Sequence, residues 1–342
     1  MKSVLTGIDL AKNVFQVCAV NQTGKVISNK KVTRAKLRQT ISQLEPTTIA
    51  MESCYSAHYW GREFEQMGHK VNLIPAQHVK PFVQGNKNDA NDAIAITEAA
   101  VRPRIRFVPI KTIEQQDIQM LHRIRQRHVD DRTALVNQMR GLLSEYGIVM
   151  AKSWRRLKME LPTVLEDAEN QLTPLGRECM HSLYEELNAS NEKVAIDEKR
   201  LKTHLKDNED YNRLLEVPGF GLITASALVS MVGSAQQFRT ARDMAAWLGI
   251  TPRQIASGEK SVMTGITKRG SRSLRTMIIH GARAVVTHAH KKTDKLSLWI
   301  QALIERRGRN KAIVALAHKL TRFAWVILNR KECYKPPELL LS

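Results

Sequence analysis

The first 74 residues contain five short apolar segments, and the first three of these are separated by very short links. Residues 4–9, 14–20 and 25–32 are rich in β-branched side chains, and each predicts a strand. The links between them carry Lys12-Asn13 and Asn21-Gln22-Thr23-Gly24, and connections this short join antiparallel strands. The elements predicted next are a basic helix over 34–44, a strand over 48–52, a helix over about 57–67 and a strand over 71–74.

Three antiparallel strands followed by alternating helix and strand is the element order of a ribonuclease-H-like domain. In that fold the first strand, the fourth strand and a late helix meet at one edge of the sheet. Asp9 ends the first predicted strand and Glu52 ends the fourth. Asp89 and Asp92 stand three residues apart at the head of a predicted helix, which would place both on one face. The predicted fold would therefore bring four carboxylates together.

Converging carboxylates are the ligands that hard divalent cations such as Mg²⁺ require. Two such ions can activate a nucleophile and stabilise the leaving oxygen of a phosphodiester. For any single acid, a solvated carboxylate at a strand end or a helix N-cap is the simpler interpretation. Four acids in matching positions favour a two-metal nuclease centre.

The charge of the chain indicates a polyanionic partner. Its 342 residues are enough for two or three domains, their 43% hydrophobic content is enough for buried cores, and they carry a net charge of +20. Residues 217–342 hold 21 Lys and Arg against 6 Asp and Glu, whereas residues 131–216 hold 13 against 16. A basic segment of this size favours nucleic acid over a membrane surface. The uncharged stretch 220–238 is interrupted by Gly, Ser and Gln, so it is not a membrane span and no membrane partner is expected.

The four cysteines are too scattered for a zinc motif or a disulfide framework; they are Cys18, Cys54, Cys179 and Cys333. Met1-Lys2 leads directly into a predicted strand, without a secretory segment. Both observations predict a protein of the reducing cytoplasm.

Two long helices are predicted in the middle of the chain, from about 114 to 146 and from about 175 to 215. Their apolar residues recur at heptad-like steps; they are Leu135, Met139, Leu142 and Tyr146 in the first, and Leu183, Leu187, Val194 and Leu201 in the second. Such seams favour an antiparallel coiled-coil arm or a dimerising hairpin. An ordinary helical bundle core explains them about as well. Pro162 and Pro174 are expected to break the link between the helices.

Val217-Pro218-Gly219-Phe220-Gly221 lies between two apolar segments and is typical of a helix-hairpin-helix. Gly219 and Gly221 allow a tight turn whose backbone N–H groups, at a helix N-terminus, can hold a DNA phosphate without reading sequence. Some such hairpins serve only as packing units. The positive charge of the segment favours contact with a nucleic-acid backbone.

A serine beside a glycine, Ser257-Gly258, lies in a segment predicted to be a flexible turn. Cations that flank it would stabilise the oxyanion formed if the serine attacked a phosphodiester; they are Arg253, Lys260, Lys268 and Arg269. Serine is common in loops, however. The residues alone favour a solvated serine near phosphate-binding side chains.

Together these motifs resemble the DEDD transposases of the insertion sequence 110 family, and most of all its 1111 subgroup. The resemblance covers nearly the whole chain. Six motifs carry it in fixed order: Gly7-Ile8-Asp9, Met51-Glu52-Ser53-Cys54, Gly85-Asn86-Lys87-Asn88-Asp89-Ala90-Asn91-Asp92-Ala93, Val217-Pro218-Gly219-Phe220-Gly221, Gly249-Ile250-Thr251-Pro252-Arg253, and Ser257-Gly258 followed by Lys268-Arg269-Gly270.

The resemblance implies a RuvC-like domain over 1–112, a coiled-coil linker over 113–212, and a mainly helical transposase domain over 213–342. It implies a bacterial recombinase guided by a structured non-coding RNA that pairs with donor and target DNA. The heptad-like seams predict a homo-oligomer, a dimer or a tetramer. The family's metal ligands, for two Mg²⁺ ions, fall on Asp9, Glu52, Asp89 and Asp92. Its nucleophile falls on Ser257. Tyr55-Ser56 departs from the glycines that relatives often carry beside Glu52, so the loop after this acid is expected to differ from theirs.

Two other functions remain open. A Holliday-junction-type endonuclease would cut with water and would need the four acids but not the serine. A non-catalytic nucleic-acid-binding protein would need neither.

Overall fold

The structure is a computed structural model that describes residues 4–86, 88–258 and 260–336. Met1, Lys2, Lys87 and Glu259, which belong to segments discussed above, lie outside this description. The chain divides into two units, residues 1–113 and residues 114–342. The further boundary near residue 212 stays a prediction.

The first unit confirms the predicted order of strands and helices. Its elements are β1 (Leu5–Asp9), β2 (Val14–Val20), β3 (Val26–Thr33), α1 (Arg34–Ser42), β4 (Thr48–Glu52), α2 (Ala57–Gln66), β5 (Lys70–Ile74), α3 (Ala76–Val79), a 3₁₀ turn (Lys80–Phe82) and α4 (Asp89–Ala100). The strands form one mixed sheet in the order β3-β2-β1-β4-β5. The pairs β1–β2 and β2–β3 are antiparallel, whereas β1–β4 and β4–β5 are parallel.

Both faces of this sheet are covered, which explains why β1 and β4 are apolar along most of their length. On one face Ile8, Phe15 and Met51 pack with side chains of α1 and α2. On the other face α4 lies against β1 at close range. A Cβ at Gly7 would stand 2.6 Å from Thr97 Cγ2. The glycine of the Gly7-Ile8-Asp9 motif therefore sets the distance between the strand and α4.

The second unit is mainly helical. Its elements are α5 (Ile113–Ser144, whose first residue belongs to the first unit), α6 (Trp154–Glu166), α7 (Pro174–Leu205), α8 (Glu209–Leu215), α9 (Leu222–Val232), α10 (Ala241–Trp247), β6 (Pro252–Ser257), β7 (Lys260–Ile266), α11 (Arg272–His288), a 3₁₀ turn (Ala289–Lys291), α12 (Lys295–Arg307) and α13 (Arg309–Arg330). The strands β6 and β7 form a separate antiparallel hairpin, which the sequence analysis did not foresee.

The long helices α5 and α7 run side by side in opposite directions. Arg125 binds Glu198 at 2.6 Å, and His128 lies 2.8 Å from the buried Asp197. Near the far end, Met139 is buried in a cluster that α6 completes with Leu157. This pairing lies within one chain, and a coiled coil between chains stays a prediction.

Within this chain Leu142 is 42% exposed, and the buried side chains of this part of α5 are Val136, Met139 and Leu143. One detail of the predicted linker is wrong. Pro162 does not break the link between the long helices, since it lies inside α6. Pro174 is the first residue of α7. At this position a backbone N–H would have no partner within the helix, so its absence in proline costs no hydrogen bond.

The last helix, α13, is the one described helix with the length and apolar composition to cross a membrane. Its apolar face packs instead into the core of the second unit, through Leu316, Leu320 and Leu328.

Candidate active site

The sheet edge at the C-terminal ends of β1 and β4 holds the first two acids. Ile8 pairs with Met51 across these parallel strands, so Asp9 and Glu52, one residue further on, end at the same edge. Helix α4 begins at Asp89 and packs across β1, so the first-turn acids Asp89 and Asp92 belong to the helix nearest these strand ends.

Electrostatic coupling links three of the four acids. Burial raises the pKa of Glu52, and the negative charge of Asp92 raises it further. Cys54 is exposed, yet partial desolvation, followed by the charges of Glu52 and Asp9, raises the pKa of its thiol to about 11. Asp9, Glu52 and Asp92 therefore act on one region. Asp89 is exposed on the first turn of α4.

Among the described residues, no three His, Cys, Asp or Glu side chains converge closely enough to hold a metal ion as they stand. The chemistry of the acids nevertheless suits a hard cation. They offer oxygen ligands, and the raised pKa of Glu52 shows negative charge that a divalent cation would offset.

The loop after β4 turns through an unusual backbone conformation. Ser53 donates its N–H to the Ile74 carbonyl at 2.7 Å, and two residues past Cys54 the chain reaches Ser56 with φ of 63°. This left-handed conformation favours glycine. The Ser56 hydroxyl is buried, without a hydrogen-bond partner in the part of the chain that the structure describes. The departure at Tyr55-Ser56 thus keeps a glycine-like turn but fills it with serine.

Ser257 is the last residue of β6 and not part of a flexible turn, so that prediction is wrong. Its cross-strand partner is Lys260, and Gly258 continues the turn with φ of 56°. Arg253 stands four residues earlier on β6, which places it on the same face as Ser257 because strand side chains alternate. All described residues from Pro252 to Gly265 are exposed. The serine is therefore solvent-exposed beside one lysine.

Lys268 and Arg269 lie at the opposite end of the hairpin from Ser257. There the Lys268 N–H donates to the Gly249 carbonyl at 3.0 Å. The chain crosses itself so tightly that a Cβ at Gly249 or Gly270 would collide with backbone atoms of Arg269 or Trp247. The structure therefore places Lys260 across from the serine, whereas Arg253, about 14 Å away along β6, lies with Lys268 and Arg269 towards the base.

A buried arginine secures this base. The guanidinium of Arg275, in the first turn of α11, donates to the carbonyl oxygens of Leu248 at 3.0 Å and of Arg269 at 2.9 Å. These two carbonyls lie on the segments that lead into β6 and away from β7. Arg275 therefore holds together both ends of the hairpin formed by β6 and β7, called the serine hairpin below because it carries Ser257.

The glycines of the turn between α8 and α9 have different surroundings. Gly219 has φ of 89°, and a Cβ there would lie 2.8 Å from the Gly281 carbonyl oxygen of α11. Gly221 is the N-cap residue just before α9, is exposed, and has open space where a Cβ would stand. No side chain caps the N-terminus of α9. Gly219 is thus a packing residue, whereas Gly221 leaves the helix end accessible.

Two family models match this chain. A DEDD transposase model of the IS110 type matches residues 6–148, and a model of the IS116/IS110/IS902 transposase family matches residues 211–297. The transposase for insertion sequence element IS1111A of Coxiella burnetii is 47% identical over 336 residues, which cover 98% of this chain and 92% of that protein. The chain belongs to the IS110 family of transposases.

Other relatives agree with this assignment. A probable family 20 transposase of Pseudomonas aeruginosa is 46% identical over 96% of this chain and 98% of its own length. The transposase for insertion sequence element IS1328 of Yersinia enterocolitica is 39% identical over 94% of this chain and 96% of its own length. The chain is therefore an insertion-sequence transposase, and the four acids and Ser257 lie within the two matched segments.

Sequence reasoning overlooked Arg275 in this transposase. Its signal was its position: it stands three and seven residues before the buried Ile278 and Ala282, on the apolar stripe of α11. An arginine at a core position of a helix usually has buried acceptors to satisfy. That spacing could have predicted a structural guanidinium.

Proposed function

We propose that this transposase cuts and rejoins DNA strands through the acids at the edge of the first unit's sheet and through Ser257 as nucleophile. The observation that carries the proposal is the position of Asp9 and Glu52 at the ends of adjacent parallel strands, with Asp92 acting on Glu52. The strand order β3-β2-β1-β4-β5 and the contact of α4 with β1 support a ribonuclease-H-like, RuvC-like assignment for this unit.

The four acids are proposed to hold divalent cations, Mg²⁺ in the first place and two ions in number. Bound there, such ions would polarise a phosphodiester and neutralise charge on its oxygens. Asp9, Glu52 and Asp92 supply carboxylate oxygens from rigid elements, and Asp89 supplies one from the exposed first turn of α4. Burial, and after it the negative charge of Asp92, raise the pKa of Glu52, and a bound cation would offset both effects.

Ser257 is proposed to attack the phosphorus of the strand to be cut. A bond forms between the serine Oγ and phosphorus, the bond from phosphorus to the departing strand oxygen breaks, and the serine proton ends on that departing hydroxyl. The serine ester conserves the energy of the phosphodiester. A hydroxyl of the new strand then attacks the ester and returns a proton to Ser257, which completes rejoining.

Lys260 is proposed to assist this attack, because it lies directly across from Ser257 and its cation would stabilise the negative charge that develops on the phosphate oxygens. Arg253, about 14 Å away along β6, is proposed to contact a neighbouring phosphate of the bound strand. Lys268 and Arg269, at the base of the hairpin, are placed to contact phosphates further along a bound strand.

The partners are proposed to be donor DNA, target DNA and a structured guide RNA. Family membership supports the DNA, and the excess of 15 positive charges over residues 217–342 supports binding of phosphate backbones. The guide RNA rests on the resemblance of the motifs to the family. Sequencing the RNA that co-purifies with the protein tests it: one structured species from the element supports guidance, and random cellular fragments oppose it.

The serine role is tested by Ser257→Ala, with Ser261→Ala on the other face of the same hairpin as the matched control. Ser257→Ala should bind DNA and RNA like the wild type but yield no recombinant, whereas Ser261→Ala should recombine. Normal recombination by Ser257→Ala would contradict the serine role and favour the alternative in which water cuts the DNA.

An oligomer of two or four chains is also proposed, because recombination joins two DNA duplexes. Exposed apolar residues of the α5 helix, such as Leu142, are better probes than Met139, which is buried within its own chain. Leu142→Glu should lower the mass measured by light scattering while the far-ultraviolet circular dichroism stays unchanged. An unchanged mass would remove this part of α5 from the interface.

A further inference from the structure

The second unit contains a large cavity that the proposed chemistry does not use. Its volume is about 890 Å³, within the 300–1,000 Å³ range of ligand sites in proteins. One wall is the base of the serine hairpin, from Pro252 across to Met263. The opposite wall is α13 with Val314 and Ala315, and Trp299 of α12 closes one side. The cavity therefore has an apolar floor and one aromatic ring.

All the charged residues of the lining are basic. Lys311, Lys319 and Arg322 stand around the apolar floor, and none of the described residues that line the cavity is acidic. The Lys319 ammonium lies 4.5 Å from the centre of the Trp299 ring. Burial, and then the positive charge of the neighbouring Arg322, lower the pKa of Lys319. No carboxylate appears among the causes of this shift to offset the two cations. The cavity therefore suits a ligand with an apolar body and a negative group.

His318 adds a neutral polar group to the same lining. Burial, then Arg322 and Arg242, lower the pKa of its imidazole, so the ring is uncharged at neutral pH. A neutral imidazole can both donate and accept a hydrogen bond. Such a group can meet the polar edge of a planar heterocycle.

We propose that this cavity binds an unstacked nucleotide of a single nucleic-acid strand. The base would lie on the apolar floor beside Trp299, and the phosphate would contact Lys319 and Arg322. Single-strand binding sites commonly combine these two features, an aromatic face for a base and cations for the backbone. A basic peptide would be repelled by this lining, and an apolar peptide would leave its cations unpaired.

The inference rests on the proposed function and extends it, because it places the bound strand relative to Ser257. Pro252 at the cavity and Ser257 are the two ends of β6. Five residue steps of a strand span about 17 Å, roughly the length of five stacked nucleotides. A strand anchored in the cavity would therefore have a phosphodiester within reach of Ser257 a few nucleotides away.

The test fills the cavity without changing its charge. Ala315→Trp places an indole on the floor, and Ala284→Trp, on an exposed part of α11, is the matched control. Fluorescence anisotropy measures binding of the 20-mers of thymidylate and of uridylate, with a 20-base-pair duplex as the third probe. Ala315→Trp should weaken binding of a single strand on the order of tenfold to a hundredfold, the effect of losing one stacked base, and leave the duplex within about twofold.

Equal affinity of wild type and Ala315→Trp for both single strands overturns the proposal. A change of mass in light scattering, with unchanged single-strand affinity, also overturns it and assigns the cavity to a protein partner. A preference of the wild type for one of the two homopolymers, lost in Ala315→Trp, identifies DNA or RNA as the source of the nucleotide.

A crosslink covers the case in which Ala315→Trp misfolds. A thymidylate 20-mer with one 5-iododeoxyuridine, irradiated with wild-type protein, should label the tryptic peptide that contains Trp299. Labelling only elsewhere overturns the proposal. The proposed function fails separately: if Ser257→Ala recombines while Ala315→Trp loses single-strand binding, the cavity assignment stands and the serine mechanism does not.

Discussion

The acids and the serine of this transposase are held in opposite ways. Asp9 and Glu52 end central strands of a sheet that is covered on both faces, next to a helix in close contact with β1. Ser257 ends a strand of a two-stranded hairpin whose described residues are almost all exposed. Isolated hairpins have little stability in water. The acids are thus built into a core, whereas the serine depends on the anchoring of the hairpin base.

This difference shows how the position of each group is fixed. Ligands of a cation must keep a fixed arrangement, and a packed sheet edge provides it. A nucleophile that must meet two DNA strands in turn can be carried on a segment that moves, provided that its base is held. Arg275 and the crossing of Gly249 with Gly270 provide that hold.

The largest expected effect is the loss of cutting in Glu52→Gln. The change keeps the shape of the side chain but removes the negative charge that is proposed to bind a cation, and loss of one electrostatic group in an active site commonly lowers rates on the order of 10²–10³-fold. We expect at least such a loss in a strand-cleavage assay. Glu65→Gln, whose carboxyl pKa is also raised by burial but without an acidic neighbour, should retain activity.

The thermal stability of Glu52→Gln provides a second test of the comparison. The folded-state pKa of Glu52 is raised, so its ionisation opposes folding once the pH rises above the ordinary value of 4.5. Glu52→Gln should therefore melt above the wild type at pH 7.5, and the gap should close as the pH falls towards 4. An inactive variant that melts well below the wild type at pH 7.5 would show that Glu52 supports the fold and would contradict the assignment.

The next largest effect concerns the base of the hairpin. Arg275→Ala leaves the carbonyls of Leu248 and Arg269 without their buried donor, which should lower the free energy of unfolding by about 2–4 kcal/mol. Arg275→Lys should recover only part, because an ammonium lacks the forked geometry of a guanidinium. Arg272→Ala, at an exposed position of α11, is the control in urea unfolding. Faster hydrogen exchange of β6 in Arg275→Ala would connect the loss to the hairpin, and unaltered exchange would contradict its anchoring role.

The two turn glycines give the third prediction. Gly219→Ala meets the Gly281 carbonyl and must adopt a left-handed backbone, so the free energy of unfolding should fall by about 2–3 kcal/mol. Gly221→Ala has open space and an ordinary φ, so stability should change by less than about 0.5 kcal/mol. If the start of α9 contacts phosphates, Gly221→Ala should still weaken binding to all DNA sequences alike in a filter-binding assay. Unchanged DNA binding by Gly221→Ala would indicate that the turn between α8 and α9 serves only to pack the two helices.

The smallest effect lies beside the acids. Ser56→Gly relieves a left-handed φ and removes a buried hydroxyl, which should raise the free energy of unfolding by about 0.5–1 kcal/mol in urea. Cutting should stay at the wild-type rate, since the acids keep their supporting strands. A loss of stability would mean that the Ser56 hydroxyl has a role in holding the loop after β4.

The contrast between the two regions also decided what the sequence could predict. The edge that holds Asp9 and Glu52 follows from local rules, because apolar strands, short links and parallel register together fix where a strand ends. The setting of Ser257 depends on contacts remote in sequence. Leu248, Arg269 and Arg275 come together only after α11 packs, and no local pattern shows that the exposed segment around the serine is a hairpin. Likewise, Met139 and Leu142 could not be told apart until α6 was placed.

The central claim is that Ser257 and the acids act in one reaction, and a trapped adduct tests it most directly. A radiolabelled donor strand is incubated with wild type, Ser257→Ala and Glu52→Gln in the presence of Mg²⁺, quenched in detergent, digested and sequenced by mass spectrometry. The account predicts a DNA phosphate esterified to Ser257 in the wild type, and none in either variant. Cut DNA without any adduct on Ser257, or an adduct that forms equally well in Glu52→Gln, would contradict it.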